Sequence, residues 1–105
     1  MDPVQAQVDA YNARDIDAFV AAYAEDVVIT DSSGAPMLGG HEAMRDQYGA
    51  LFDGSPDLRA EILGRVSAGA WTVDHERVSR GEETREVLVA YLVIEGLISR
   101  VVMLA

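Results

Sequence analysis

Two side chains in the sequence are suited to moving a proton, Asp31 and His75. Asp31 follows an apolar run and precedes the turn-forming residues Ser32-Ser33-Gly34. That position favours either a base at a pocket wall or a carboxylate that organises the turn. His75 alternates with Trp71 and Val73 on one face of a predicted strand, which we take as the inner face. There His75 is a catalytic acid, base or hydrogen-bond donor; the alternative is a core or interface histidine.

Other patterns that could do chemistry are weaker. Asp74 and Glu76 are predicted to point away from His75, because neighbouring residues of a strand face opposite sides, so this run is not a triad or a metal cluster. With two histidines, no cysteine and no HExxH spacing, we expect no metal site. Ser32 and Ser33 lack the Gly-x-Ser-x-Gly context of a nucleophile elbow.

Aromatic side chains are the candidates for the wall of an apolar pocket. Tyr11, Tyr23 and Tyr48 lie in apolar stripes of helical spacing, where the alternatives are core packing with a satisfied hydroxyl or pocket lining. The predicted substrate-binding residues are Phe19, Tyr23, Tyr48, Phe52, Trp71 and Tyr91.

Charge and composition limit the partners. The chain has 105 residues, a net charge of −10 and only eight basic residues, all of them arginine. Phosphate backbones and anionic lipids bind clustered cations, so we expect neither nucleic acid nor a membrane as a partner. No basic segment followed by an apolar run opens the sequence, and a cytoplasmic location is expected. The length predicts one domain over residues 1–105.

The N-terminal half predicts three helices and a short strand. Asp2-Pro3 is typical of a helix start, and Asp15 can cap a second helix. Helical spacing of apolar residues predicts helices to about residue 14, over 16–24, and from Gly40 to about 53. The β-branched run 27–30 predicts a strand.

After residue 56 the apolar period changes to two. Strands are predicted over about 58–67, 70–79, 84–94 and 97–104, separated by short turn sequences that indicate an antiparallel meander. The run 87–94 is apolar at both odd and even positions, so both faces of that strand need cover. Three helices can cover one face only, and we therefore predict a homodimer through the sheet.

The order of elements, together with the segments Tyr23-Ala24-Glu25-Asp26, Asp31-Ser32-Ser33-Gly34 and Gly40-His41-Glu42, resembles the nuclear transport factor 2-like superfamily. More narrowly, it is similar to the branch that contains ketosteroid isomerases and SnoaL-like polyketide cyclases. The resemblance spans nearly the whole chain. It implies an α+β fold in which a cone-shaped, curved antiparallel sheet wraps around three N-terminal helices and opens at one end as a pocket.

The resemblance also implies roles for single residues. Asp31 falls on the isomerase carboxylate that moves a proton between carbon atoms beside a ketone, and Tyr23 and Tyr48 fall on tyrosines of its hydrogen-bond network. The tyrosine of the oxyanion hole falls on Gln7, and its protonated acid falls near Val89-Ala90, where no carboxyl is present. Tyr11 lies one helical turn from Gln7 and is the candidate replacement.

Three functions remain open at this point. The preferred one is a cofactor-free isomerase or cyclase acting on a small apolar molecule with a carbonyl, with Asp31 as base and His75 or Tyr11 as polar partner. The alternative is a non-catalytic binding or dimerisation module, favoured by the loss of both oxyanion-hole donors. Epoxide hydrolysis, which would need Asp31, Arg45 and Asp46 to converge, ranks last.

Overall fold

A computed structural model describes residues 2–105 of the chain. Met1, with which the predicted single domain begins, lies outside the described residues. The elements are α1 (Pro3–Ala13), α2 (Ile16–Ala21), β1 (Tyr23–Asp31), β2 (Pro36–Gly39), α3 (His41–Asp53), β3 (Arg59–Ala68), β4 (Trp71–Arg80), β5 (Glu83–Ile94) and β6 (Leu97–Met103).

Side-chain caps fix where the first two helices begin. Asp2 Oδ1 accepts a hydrogen bond from the Val4 N–H at 3.0 Å, and Asp15 Oδ1 accepts one from the Ala18 N–H at 3.1 Å. Each carboxylate satisfies an amide that has no partner within the helix. Both caps were predicted from the sequence and are confirmed. Between the helices, Arg14 has φ 53°, a left-handed conformation that ends α1 and turns the chain.

The second helix and the first strand differ from the prediction. The helix ends at Ala21 rather than near residue 24, and β1 is nine residues long instead of four. The reason is pairing between distant segments: Tyr23 lies beside Ile98 of β6, and Val28 lies beside Gly39 of β2. Such partners override local helical spacing, and the periodicity of residues 16–24 does not reveal them.

The strands form one curved, six-stranded sheet in the order β2-β1-β6-β5-β4-β3. The predicted meander of β3, β4, β5 and β6 is confirmed, with antiparallel pairing throughout. The sequence did not predict β2, nor the parallel pairing of β1 with β6. The α+β class and the cone of sheet around three helices are confirmed.

The core lies between the helices and the inner face of the sheet. Phe19 of α2 is 2% exposed and packs against Tyr48, with ring centroids 4.7 Å apart, and against Tyr23 at 5.2 Å. Val4 of α1 and Met44 of α3 are fully buried beside them. All three helices therefore rest on the sheet through buried apolar side chains.

The inner face of β4 is opposite to the predicted one. Asp74 and Glu76 are buried, at 0% and 7% exposure, whereas Trp71 and His75 point outward. The acidic face can turn inward because Asp74 finds a cation directly across the ladder. Arg65 of β3 donates to both of its carboxylate oxygens, at 2.6 and 2.9 Å.

No helix within residues 2–105 has both the length and the apolar character needed to cross a bilayer.

The Arg65–Asp74 pair generates a stability prediction. Replacing the cation in Arg65→Met leaves a fully buried carboxylate without a partner, and we expect a loss of about 3 kcal/mol in the free energy of unfolding. Arg65→Met/Asp74→Leu should recover most of this loss, because an apolar pair in the same space has no buried charge. Urea denaturation at pH 7 measures both variants. A double variant no more stable than Arg65→Met would show that the pair contributes more than charge compensation.

Candidate functional site

A small cavity of about 80 Å³ lies between the inner face of the sheet and the helices. Aromatic rings and Gln7 form its helical side, and Glu76, Arg85 and two tyrosines lie among aliphatic residues on its sheet side. The predicted residues that line it are Tyr11, Phe19, Tyr23, Tyr48 and Tyr91. Gln7 lines it too, at the position where the resemblance puts the oxyanion-hole tyrosine, whereas Glu76, Val78 and Arg85 were not predicted to line it.

A chain of hydrogen bonds crosses the cavity floor. The Tyr23 hydroxyl donates to Gln7 Oε1 at 3.2 Å, and Gln7 Nε2 donates to the Tyr91 hydroxyl oxygen at 3.2 Å. The Tyr91 hydroxyl in turn donates to Glu76 Oε2 at 3.1 Å. Gln7, which belongs to α1, thus orients both tyrosines. The series of hydrogen bonds ends at the Glu76 carboxylate. Its members are fixed by their partners, which preorganises the floor of the cavity.

Glu76 is the titratable group whose surroundings suit proton transfer best. Burial raises the pKa of its carboxyl above the ordinary value, and the charge of Asp74 adds to the rise. The hydrogen bond from Tyr91 and the charge of Arg65 oppose it. A carboxylate with a raised pKa is a stronger base than one in water, and Glu76 borders the cavity.

Tyr11 and Tyr48 supply hydroxyl groups to the same cavity. Burial raises the pKa of Tyr11 to about 12, with smaller contributions from Tyr48 and Glu76. The pKa of Tyr48 is also raised, first by burial and then by the charge of Glu76. Both phenols stay protonated at neutral pH. Among residues 2–105 the bonded tyrosine hydroxyls are those of Tyr23 and Tyr91, so Tyr11 and Tyr48 are free to donate to a ligand.

Phe52 supports this wall from behind. Its ring packs edge-on against Tyr11 and Phe19, with both centroid distances at 5.5 Å. It is 5% exposed and belongs to the core rather than to the cavity surface. Its predicted contact with substrate is therefore replaced by a supporting role, holding the Tyr11 ring in place.

Asp31 is the last residue of β1 and does not itself line the cavity, although Met103, its partner in β6, does. Its Oδ1 accepts hydrogen bonds from the Ser33 hydroxyl at 2.6 Å, the Ser33 N–H at 2.9 Å and the Ala35 N–H at 3.0 Å. These bonds hold the pKa of the carboxyl below its ordinary value. A solvated, turn-organising carboxylate is a weak base. The epoxide-hydrolase arrangement is likewise absent, because Arg45 pairs with Asp17 on the surface.

His75 and Trp71 lie on the outer face of the sheet, so their predicted placement in the pocket is wrong. His75 Nε2 lies 2.5 Å from Glu86 Oε1, in a pair in which both side chains are about half exposed. Trp71 is 36% exposed. The predicted alternation of β4 is confirmed, but the two faces are exchanged: the face that carries Trp71 is the outer one.

Glu76 was not predicted as a site residue, because its face of β4 was expected to point away from the pocket. Two features of the sequence favour an inner position for Glu76. Val78 lies on the same strand face as Asp74 and Glu76 and is apolar, and Arg65 on the preceding strand is a cation that can pair with one of the two carboxylates. A strand face with two acidic residues is normally predicted to face solvent, because the pattern alone does not show which cations could pair with them.

A wider opening of about 710 Å³ lies beside the cavity, because the two spaces share lining residues. Val78 and Arg85 line both spaces and mark the passage between them. Leu51 and Leu58 form an apolar side, whereas Arg80, Glu82 and Glu83 from the β4–β5 hairpin form a charged rim. Asp57 Oδ2 accepts a hydrogen bond from the Gly81 N–H at 2.8 Å and ties this hairpin to the loop after α3.

Comparison with known proteins identifies a family. Residues 4–101 match the family model described as a SnoaL-like domain. Curated protein sequences contain no match to the chain.

Solved structures share the fold. A cystatin-fold protein from Novosphingobium aromaticivorans, itself uncharacterised, is 27% identical, covers 100% of this chain and 99% of its own, and superposes with a TM-score of 0.92. A proposed polyketide cyclase from Sinorhizobium meliloti is 23% identical, with coverages of 96% and 92% and a TM-score of 0.81. A proposed ketosteroid isomerase from Kribbella flavida is 22% identical, with coverages of 95% and 72% and a TM-score of 0.76.

The raised pKa of Glu76 generates a prediction about stability and pH. Between the ordinary pKa of 4.5 and its higher folded value, the native state binds more protons than the unfolded state. Stability therefore falls as pH rises through that window and stays lower above it. Glu76→Gln keeps an acceptor for Tyr91 and removes this loss, so it should be more stable than wild type at pH 8 and equal to it at pH 4. Urea denaturation across this range measures the difference; a less stable Glu76→Gln at pH 8 would contradict the assigned cause.

Proposed function

Because the chain belongs to the SnoaL-like domain family, we propose that it is a cofactor-free proton-transfer catalyst, an isomerase or a cyclase, for a small molecule with a carbonyl group. The observation that supports this most directly is Glu76, a buried carboxyl group that borders a cavity lined by tyrosine hydroxyls. Neighbours described as a polyketide cyclase and a ketosteroid isomerase share the fold and agree with such a role.

The chemistry follows from the groups that face the cavity. Ionised Glu76 removes a proton from the carbon beside the carbonyl group, and the electrons move onto the carbonyl oxygen to form an enolate. The hydroxyls of Tyr11 and Tyr48 donate hydrogen bonds to that oxygen. Protonated Glu76 then returns the proton to a carbon atom of the enolate system; in a cyclisation, the enolate carbon instead attacks a second carbonyl, and Glu76 gives its proton to the alkoxide oxygen formed there. Each donor to an enolate oxygen is typically worth about 2.7–4 kcal/mol.

The dimensions of the site limit how a ligand can bind. A cavity of about 80 Å³ holds the reacting atoms and little more. Ligand sites commonly measure about 300–1,000 Å³, so the rest of the molecule would occupy the opening beside Leu51 and Leu58. A compact carbonyl compound with a short apolar body suits this shape better than a rigid polycyclic one.

A non-catalytic binding module is the alternative, and one observation favours it. The hydrogen-bond chain on the cavity floor is satisfied internally, with Gln7 holding the hydroxyls of Tyr23 and Tyr91. A floor closed in this way binds a ligand mainly by shape. The two functions differ in whether Glu76 exchanges a proton with the bound molecule.

The outer face of the sheet supports a proposal of self-association. Leu88, Ala90 and Leu92 of β5 point outward, because Val87, Val89 and Tyr91 line the cavity on the opposite side. Trp71 lies beside Leu92 in the ladder and is 36% exposed, and Ile94 is 48% exposed. A contiguous apolar face of this kind suits a homodimer in which the two sheets pack face to face.

Proton transfer is tested by deuterium exchange. In D₂O, the chain should accelerate exchange of the hydrogens beside the carbonyl in a panel of small ketones, followed by proton NMR. Glu76→Gln should lose about 10²- to 10⁴-fold of this rate, the usual contribution of a general base. Asp31→Asn and His75→Ala are the matched controls and should keep wild-type rates. Exchange lost in Asp31→Asn but retained in Glu76→Gln would refute the assignment, and saturable binding without exchange would favour the binding module.

Self-association is tested by sedimentation velocity. The wild type should sediment as a dimer, and Ala90→Glu, which places a charge between Val73 and Val102 on the apolar face, should sediment as a monomer. Gln47→Glu adds the same charge at an exposed position of α3 and should remain dimeric. A monomeric wild type would refute the proposed dimer.

A further inference from the structure

We infer that the ligand of this site carries a carboxylate group, bound by Arg85 where the cavity meets its opening. The inference rests on the proposed function for the identity of the reacting end, and it adds the chemical class of the other end. It is argued from where Arg85 lies, from the charges around it and from its spacing to Glu76.

Arg85 is positioned by the β4–β5 ladder to face into the cone. It lies directly opposite Val78, and two residues further along β5 Val87 lies opposite Glu76. Side chains at alternate positions share a face, so Arg85 points to the same side as Val87, Val89 and the cavity. Consistently, Arg85 lines both the inner cavity and the opening. Its positive charge lowers the pKa of the Tyr11 and Tyr48 hydroxyls and so offsets part of the rise that burial causes.

The guanidinium group of Arg85 has no carboxylate partner among residues 2–105. Three other arginines do form ion pairs: Arg45 with Asp17, Arg65 with Asp74, and Arg77 with Glu61. In a chain of net charge −10, an unpaired arginine at the neck of a cavity is a group whose donors remain available. Guanidinium donors match the geometry of a carboxylate and bind it through two parallel hydrogen bonds.

The neighbouring charges distinguish Arg85 from Arg80. Arg80 lies opposite Glu83 in the ladder, and Glu82 and Asp57 border the same outer rim, so carboxylates already surround it. The residue opposite Arg85 is the apolar Val78, and Glu83, two residues away on the same face of β5, forms no ion pair with it within residues 2–105. An anion entering the cone would therefore pass the mixed rim and bind at Arg85, one step deeper.

The spacing of Arg85 and Glu76 relates the two ends of the ligand. They are diagonal neighbours across the ladder, a relation in which residues lie about 7–8 Å apart. Within residues 2–105, the ion pairs that form do not join these two side chains. A short molecule can therefore lie between them, with its carboxylate on Arg85 and an acidic C–H bond at Glu76. This describes a small keto acid rather than a neutral ketone.

Matched acids and esters test the inference. The probes are 4-oxopentanoate and 4-oxo-4-phenylbutanoate, each compared with its methyl ester, which has nearly the same shape and no charge. Dissociation constants are measured by ligand-observed NMR, and exchange of the hydrogens beside the ketone is followed in D₂O. We expect at least one acid to bind at least about tenfold more tightly than its ester, the usual scale for a charge-assisted contact.

Two variants locate the preference. Arg85→Gln should abolish the difference between acid and ester by weakening the acid alone. Arg59→Gln removes the same charge at an exposed position at the start of β3 and should leave the difference unchanged. Thermal denaturation of Arg85→Gln checks that the fold is retained.

The outcomes separate this inference from the proposed function. An acid preference that needs Arg85, without exchange that needs Glu76, supports the carboxylate site and refutes the catalytic role. Exchange that is equally fast for acids and esters and unchanged in Arg85→Gln refutes the carboxylate site and keeps the catalytic role. No binding of either acid by the wild type also refutes the carboxylate site.

Discussion

The inward placement of two acidic side chains on β4 is the constraint on which the site depends. A strand carries Asp74 and Glu76 into a core only if the free energy of removing their charges from water is offset. Arg65 provides this for Asp74 by two hydrogen bonds across the ladder. Within residues 2–105, Glu76 has the hydroxyl of Tyr91 and no ion-pair partner, so part of the cost remains and its pKa rises. The same incomplete compensation that lowers stability makes this carboxylate a stronger base.

The tyrosines complete the arrangement because each is positioned by a different element. Tyr11 comes from α1, Tyr48 from α3 and Tyr91 from β5, and Phe19 and Phe52 pack between the helical pair. Packed aromatic rings have few alternative rotamers, so the hydroxyl groups are aimed by the core itself. A site of this kind is as rigid as the packing of its helices on the sheet, and the two properties cannot be varied independently.

Much of the fold could be predicted because its local signals are strong. Asp2 and Asp15 cap the helices as their types and positions indicate, and the change of period after residue 56 predicts the meander. The site could not be predicted to the same degree. Trp71 and His75 suggested an inner face, yet which face of β4 is inner depends on Arg65 and Tyr91, residues of other strands. Asp31 follows a strand as a pocket base would, but three local hydrogen bonds within its own turn hold it.

The parallel pairing of β1 with β6 has a consequence for how the chain folds. Val28 lies beside Arg100, so this contact closes a loop that contains most of the sequence, whereas each pair within the meander joins strands that are neighbours along the chain. Closing a long loop costs more chain entropy than forming a hairpin. We therefore expect the meander to form first, and the helices with β1 and β2 to dock afterwards. Until they dock, the inner face of β4 is open to water. The free-energy cost of burying Glu76 and Asp74 then falls on the docking step rather than on formation of the meander.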